Sequence, residues 1–232
     1  MDFSLFDRRR YPVISAKAGY AEWAHNYEDT VAVGLDRPLL DSLKCIKWSE
    51  VRLAVDLACG TGRTGTWLRD HGVTTIHGVD LTPQMLEQAA AKQVYERLHT
   101  GDVANTPLSS STYDLCMLVL ADEHLAQLGP VYREASRLLI PGGNFVLIGY
   151  HPFFLMQGLP THYHRTSDQE AVTIQSYVHL FSDHFNAAQN AGLNVVEFRE
   201  CVIDEEWLTT KPKWRDFLNW PVSFALVWTK PF

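Results

Sequence analysis

The sequence predicts an α/β fold: a doubly wound, mostly parallel sheet with an antiparallel edge strand and an N-terminal helical cover. Three observations carry this. Short β-rich apolar runs alternate with segments of helical period. The run Asp114 to Leu120 is almost continuously apolar, as a central parallel strand buried on both faces must be. A glycine-rich loop, Gly60 to Gly65, joins the first such run to the next helix.

Each element follows from local signals. Ser15 to Glu28 carries Tyr20, Trp23, Ala24 and Tyr27 at i, i+3, i+4, i+7 spacing and reads as a helix. A second helix covers Arg37 to Ile46. Arg52 to Leu57 is the first core strand, Gly62 to His71 a helix stopped by Gly72, and Thr75 to Val79 the second strand. Thr82-Pro83 caps and opens a helix over Pro83 to Glu96. Pro130 opens a helix to Leu139, and Pro141-Gly142-Gly143 turns the chain into the strand Asn144 to Tyr150. His151 to Thr173 reads as irregular. Ser182 to Ala191 is helical up to Gly192, and Leu193 to Cys201 and Ser223 to Thr229 form the last strands, as an antiparallel pair at the edge.

Composition narrows the function classes. The chain has 232 residues, 46% hydrophobic and 20% charged, which suits one globular α/β domain. We divide it into a helical cap (1–48), a core (49–150) and a segment with the final strands (151–232). No apolar run approaches the ~20 residues of a membrane helix, and the charged start, Met1 to Arg10, lacks the apolar stretch of a secretory signal. A cytoplasmic location is expected. The four cysteines, Cys45, Cys59, Cys116 and Cys201, are scattered and read as reduced thiols. The formal net charge is −7, and Arg8-Arg9-Arg10 is the one basic run. A broad nucleic-acid groove is therefore not expected, although an RNA substrate stays open.

The loop Val55-Asp56-Leu57-Ala58-Cys59-Gly60-Thr61-Gly62-Arg63-Thr64-Gly65 satisfies G-x-G-x-x-G, and Asp80 ends the next strand. Alone, this would suggest a dinucleotide. Asp56 argues otherwise. A carboxylate at the strand end repels a pyrophosphate, which such sites hold on bare backbone N–H groups. It suits a cationic ligand. S-adenosylmethionine carries an ammonium and a sulfonium against one carboxylate. Asp56 would hold the ammonium directly or through water, and Asp80 would accept from both ribose hydroxyls.

At these residues the sequence resembles the class I S-adenosylmethionine-dependent methyltransferases, whose fold is Rossmann-like. The likeness is to the small-molecule branch that includes quinone-biosynthesis enzymes. Asp56 to Gly62 is similar to that family's first motif, Gly78 to Leu86 to its second and Gly101-Asp102-Val103 to its third. Tyr113 to Leu120 resembles the fourth strand, Arg137 to Gly143 the turn before the fifth, and Tyr20 to Tyr27 the N-terminal helix over the cofactor. The resemblance spans about Tyr20 to Tyr150. It implies cofactor contacts from Tyr20, Tyr27, Asp56, Ala58, Gly60, Thr61, Gly62, Asp80, Leu81, Met85, Asp102, Val103 and Leu120, with Asp102 meeting the adenine amino group.

Methyl transfer from a sulfonium is an in-line displacement in which the protein supplies alignment and excludes water. A base is needed only if the acceptor keeps its proton. The acceptor side is expected above the sheet, where the segment from His151 to His184 holds five of the ten histidines among aromatic residues. His151, directly after a strand, is the best-placed base candidate, with His179 and His124 behind it. His162-x-His164 with His151 as a third ligand, or Asp122-Glu123, would be the donors for a metal, and no metal is expected. The acceptor is expected to be a small molecule. The rival readings are a cofactor-binding sensor or scaffold without catalysis and an NAD(P)-dependent oxidoreductase. The latter lacks a Tyr-x-x-x-Lys pair. The acceptor atom and oligomeric state are not legible.

Overall fold

The computed structural model describes residues 1–31 and 33–232. In chain order, strand β1 (Val13–Ile14) leads into α1 (Ala16–Trp23), capped by the Ser15 side chain, which accepts from the Ala18 N–H, then α2 (Tyr27–Thr30) and α3 (Arg37–Ser42). The core follows: β2 (Leu53–Leu57), α4 (Arg63–Asp70), β3 (Thr75–Asp80), α5 (Pro83–Ala91), β4 (Arg97–Thr100), β5 (Tyr113–Val119), α6 (Gly129–Leu138) and β6 (Leu139–Tyr150). Then come α7 (Pro152–Leu155), β7 (His162–His164), β8 (Ala171–Ile174), α8 (Phe181–Asn190), β9 (Asn194–Val202), α9 (Glu205–Thr210) and β10 (Pro221–Thr229).

The main sheet has the order β4-β3-β2-β5-β6-β10-β9. Pairs from β4 to β6 are parallel, and β10 runs antiparallel to both β6 and β9. This is the expected doubly wound sheet with an antiparallel edge. The chain enters at β2, builds outward to β4, then crosses to β5 on the other side of β2. The carboxyl ends of β2 and β5 therefore flank a topological switch point, where such sheets bind ligands.

Side-chain alternation buries the sheet on both faces. Val55 and Leu57 pack with Tyr132, Phe145 and Trp228 on one face. Ala54, Ala225 and Val227 pack with Leu39, Leu40 and Trp67 on the other.

Several expected elements differ. The helix from Ser15 breaks at Trp23 into a 3-10 turn over Ala24–Asn26. The second helix ends at Ser42, because Glu197 of β9 captures the N–H groups of Lys44 and Cys45, each at 2.9 Å. Helix α5 stops at Ala91, Gln93 takes a positive φ of 56°, and β4 follows, a strand the sequence reading lacked. The irregular stretch after Tyr150 instead contains α7, β7 and β8. Here β8 pairs parallel with β1 and antiparallel with β7 in a separate three-stranded sheet. The N-terminus is tied to the same region: the Met1 ammonium donates to the Val178 carbonyl at 2.7 Å, and the Phe3 N–H to Ser176 at 3.1 Å.

Candidate active site

The loop after β2 is shaped by left-handed backbone. Gly60 and Gly62 have φ of 53° and 87°, and Ala58 adopts 56° although it carries a Cβ. Leu120, directly after β5, has φ of 53°. Two strained non-glycine residues thus stand at the ends of the two strands flanking the switch point, as strain at functional rims does. Around Gly60 no heavy atom lies within 4 Å of the place a Cβ would occupy, so the loop leaves an open cradle.

Asp80 locks this loop. Its Oδ2 accepts from the Gly60 N–H at 2.8 Å and its Oδ1 from the Thr82 N–H at 2.8 Å. Burial raises its pKa against these hydrogen bonds. Asp56 is 1% exposed. Its Oδ2 accepts from the Tyr95 hydroxyl at 2.7 Å, and its Oδ1 has no partner among the described residues. Burial pushes its pKa up to about 7, with the Asp80 charge adding and the Tyr95 hydrogen bond opposing.

Above the loop lies a cavity of about 1000 Å³ of empty space, mouth included. Of the thirteen expected cofactor residues, Tyr20, Tyr27, Ala58, Gly60, Thr61, Asp80, Leu81, Met85, Asp102, Val103 and Leu120 line it. Asp56 and Gly62 do not. Gly62 caps α4 below the wall. Asp56 is held by Tyr95 off the wall, which leaves the expected hold through water or through its charge rather than a wall contact. Sequence reasoning missed Lys17, Asp36, Arg63 and Thr82 on the wall. It also missed Tyr95, for which the sequence offers no signal.

The N-terminal helices close the cavity. Glu28 accepts from the Thr61 hydroxyl at 2.5 Å and pairs with Lys92. Asp36 pairs with Arg63 at 3.2 Å, both side chains nearly buried. Tyr27 is pushed up to about 12 by burial, and Tyr20 is likewise raised well above its ordinary value, so both hydroxyls are neutral donors near pH 7.

A methyltransferase-domain family model matches residues 55–147, which span β2 to β6 and hold the glycine loop, Asp80 and Asp102. Over that segment, less than half of the chain, the sequence is similar to methyltransferase domains. It is 36% identical over 107 residues to human methyltransferase-like protein 27, covering 43% of this chain and 44% of that protein. Over 89 residues it is 33% identical to a malonyl-[acyl-carrier protein] O-methyltransferase of Pectobacterium atrosepticum, covering 38% and 35%. The chain thus spans less than half the length of these relatives. Among solved structures, an S-adenosylmethionine-dependent methyltransferase from Mesorhizobium loti shares the fold. Its TM-score is 0.66 at 21% identity, over 87% of this chain and 99% of that one.

Around the cavity the candidate histidines separate. His124 is the one imidazole among the described lining residues. Its Nδ1 lies 2.9 Å from the Gln175 carbonyl, which can only accept, so Nδ1 carries the proton and Nε2 accepts from the Tyr20 hydroxyl at 2.8 Å. His151, the favoured base candidate, does not line the cavity. Its Nδ1 accepts from the Phe153 N–H, capping α7, and its Nε2 donates to Glu200 of the edge strand at 2.9 Å. The base role expected of His151 is corrected on that geometry. His179 donates from Nε2 to the Leu125 carbonyl at 2.7 Å and also stands outside the wall. Burial lowers its pKa.

Asp122 and Glu123 are buried beneath this site, and Asp122 is held well above the usual carboxylate range by burial and by the Glu123 charge. Among the described residues, no group of three or more His, Cys, Asp or Glu side chains could hold a metal ion. No described helix is long and apolar enough to cross a membrane.

Proposed function

We propose that the chain transfers the methyl group of S-adenosylmethionine to a small-molecule acceptor by in-line displacement. The observation that carries this reading is one cavity whose walls combine the glycine loop and Asp80 with the Tyr20–His124 pair. Bound S-adenosylmethionine supplies an electrophilic methyl on a cationic sulfur.

The residues present fit that group. The cradle at Gly60 leaves room for close approach of a ligand to backbone. Asp80 keeps lone pairs on both oxygens for ribose hydroxyls. Leu81, Met85 and Val103 form an apolar slot for a base, with Asp102 at its edge. Asp56, buried with an unpartnered oxygen, favours a positively charged occupant. The cover of residues 1–48 and the segment 151–232 build the acceptor side around the core 49–150. Tyr20 donates to His124 and orients it. His124 Nε2 is the basic nitrogen on the wall, placed to take a proton from an acceptor that displaces the Tyr20 hydroxyl.

A formal net charge of −7 supports a small acceptor over a nucleic acid. The test is calorimetry with S-adenosylhomocysteine, followed by turnover of methyl-labelled cofactor with a metabolite extract. We expect one site per chain and a labelled small product. Binding of a nicotinamide dinucleotide with no heat from S-adenosylhomocysteine would overturn the reading. Binding without any labelled product would favour the sensor.

A further inference from the structure

A second cleft lies between the three-stranded sheet and the segment after α9, outside the cavity described above. It is two joined cavities that share Tyr150, Pro160, Thr161, His162, Lys213 and Trp214. Arg9 and Tyr11 close the inner one, and no carboxylate lines it among the described residues. The outer one adds Lys211 and His164, against a single carboxylate, Asp29.

This cationic lining stands out on a chain of net charge −7. Arg9, Lys211 and Lys213 enter no ion pair among the described residues. A concave site lined by one sign of charge concentrates ligands of the other.

His162 sits amid these cations. Its Nδ1–H donates to the Pro160 carbonyl at 2.9 Å, which leaves Nε2 as the acceptor nitrogen. Burial first, and then the charges of His164, Lys213 and Arg9, hold its pKa below the ordinary value, against that hydrogen bond. The walls are aromatic: the Tyr11 ring centroid lies 5.5 Å from that of His162, and Trp214 stacks on Trp207 at 5.7 Å.

Tyr150 connects this cleft to the first cavity. It lines both parts of the cleft, and the charges of Glu123, Tyr27, Asp36 and Arg63 act on its hydroxyl. Tyr27, Asp36 and Arg63 are wall residues of the first cavity. Tyr150 thus faces the cleft and stands within electrostatic reach of that wall.

We propose that this cleft binds the anionic end of the methyl acceptor, a carboxylate or phosphate on an aromatic or apolar body, with Arg9 and Lys213 as its counter-charges. The proposal rests on reading the first cavity as the methyl-transfer site. Trp214 and Tyr11 flank the body, and Tyr150 stands where it passes toward the Tyr20–His124 pair.

The test uses the full chain and three probes of similar size: phenylacetate, phenyl phosphate and neutral 2-phenylethanol. Each is titrated by calorimetry with and without S-adenosylhomocysteine. The NMR titration of His162 is followed in parallel. We expect at least one anion to bind at least tenfold more tightly than the alcohol and to raise the His162 pKa. The two anion arms tell carboxylate from phosphate. The double variant Arg9→Glu/Lys213→Glu should weaken that anion at least tenfold and leave S-adenosylhomocysteine affinity unchanged, which also reports that it folds. Equal binding of the alcohol, an unaltered variant, or no saturable binding of either anion overturns the proposal. Loss of S-adenosylhomocysteine binding in the parent chain would instead strike the methyl-transfer reading, since the anion titrations are also read without it.

Discussion

Asp56→Asn separates the cost of the buried acid from its use. The parent carboxyl has an ordinary value of 3.8 and is pushed up to about 7 in the fold. Between those values the folded chain holds a proton that the unfolded chain has released, so stability falls as pH rises across that window. At ~1.4 kcal/mol per pH unit, the cost reaches about 4 kcal/mol at pH 8 and is under about 1 kcal/mol at pH 4. Asparagine keeps an oxygen for the Tyr95 hydroxyl. Its amide falls where Oδ1 has no partner, which returns about 1–3 kcal/mol of that gain. The variant should therefore be about 2 kcal/mol more stable than the parent at pH 8 and no more stable at pH 4. Urea unfolding of both proteins at pH 4, 6 and 8 measures this, and other titrating groups cancel in the difference. A difference that does not change with pH, or that grows toward acid, refutes the reasoning. The same variant should bind S-adenosylhomocysteine more weakly. It should also lose the proton that the parent releases on binding below pH 7, read by calorimetry in buffers of different ionisation enthalpy.

His124→Gln removes the basic Nε2 that the Tyr20 hydroxyl meets at 2.8 Å. Turnover should fall about tenfold, while S-adenosylhomocysteine affinity stays within about threefold, so steady-state rates and calorimetry together check it. His151→Ala loses the pair with a half-exposed Glu200 and the cap on α7. Turnover should hold, and thermal unfolding should drop by a few degrees for a loss of about 1 kcal/mol. Gly65→Ala places a methyl against the Tyr95 ring. We expect about 1–3 kcal/mol of destabilisation from overpacking, by denaturant unfolding. Adding Tyr95→Leu should recover part of it, and no recovery would mean that the glycine serves another neighbour.

The parallel core was legible because buried strands advertise themselves. Asp114 to Leu120 has no polar face, and Gly72 and Pro83 mark a helix end and a helix start at their observed places. The cavity wall was legible for the same local reason, since most of its residues cluster at strand ends close in sequence. The small three-stranded sheet was not. Strands β1, β7 and β8 have two to four residues each, too short for a period to register. Their pairing joins segments about 160 residues apart in sequence. His151 illustrates the limit. Its position after a strand was read correctly, but the direction of its side chain depended on Glu200 across the sheet edge. Tyr95 depended on the same kind of distant geometry, because its hydroxyl meets an acid 39 residues earlier.

The motif glycines also acquire different meanings once the neighbours are known. Gly60 leaves open space toward the ligand, whereas Gly65 makes room for the Tyr95 ring, which in turn holds Asp56. Two acids, Asp56 and Asp80, then stand close enough that the charge of one raises the other. A pyrophosphate would add a further like charge to this pair and oppose it. A cationic methyl donor relieves it, and the relief is greatest in a desolvated site. When the sulfur gives up its methyl it also gives up its positive charge, so the same acids hold the product less firmly than the donor. On the proposed reading, the buried cost at Asp56 favours the methyl donor over both a dinucleotide and the spent cofactor.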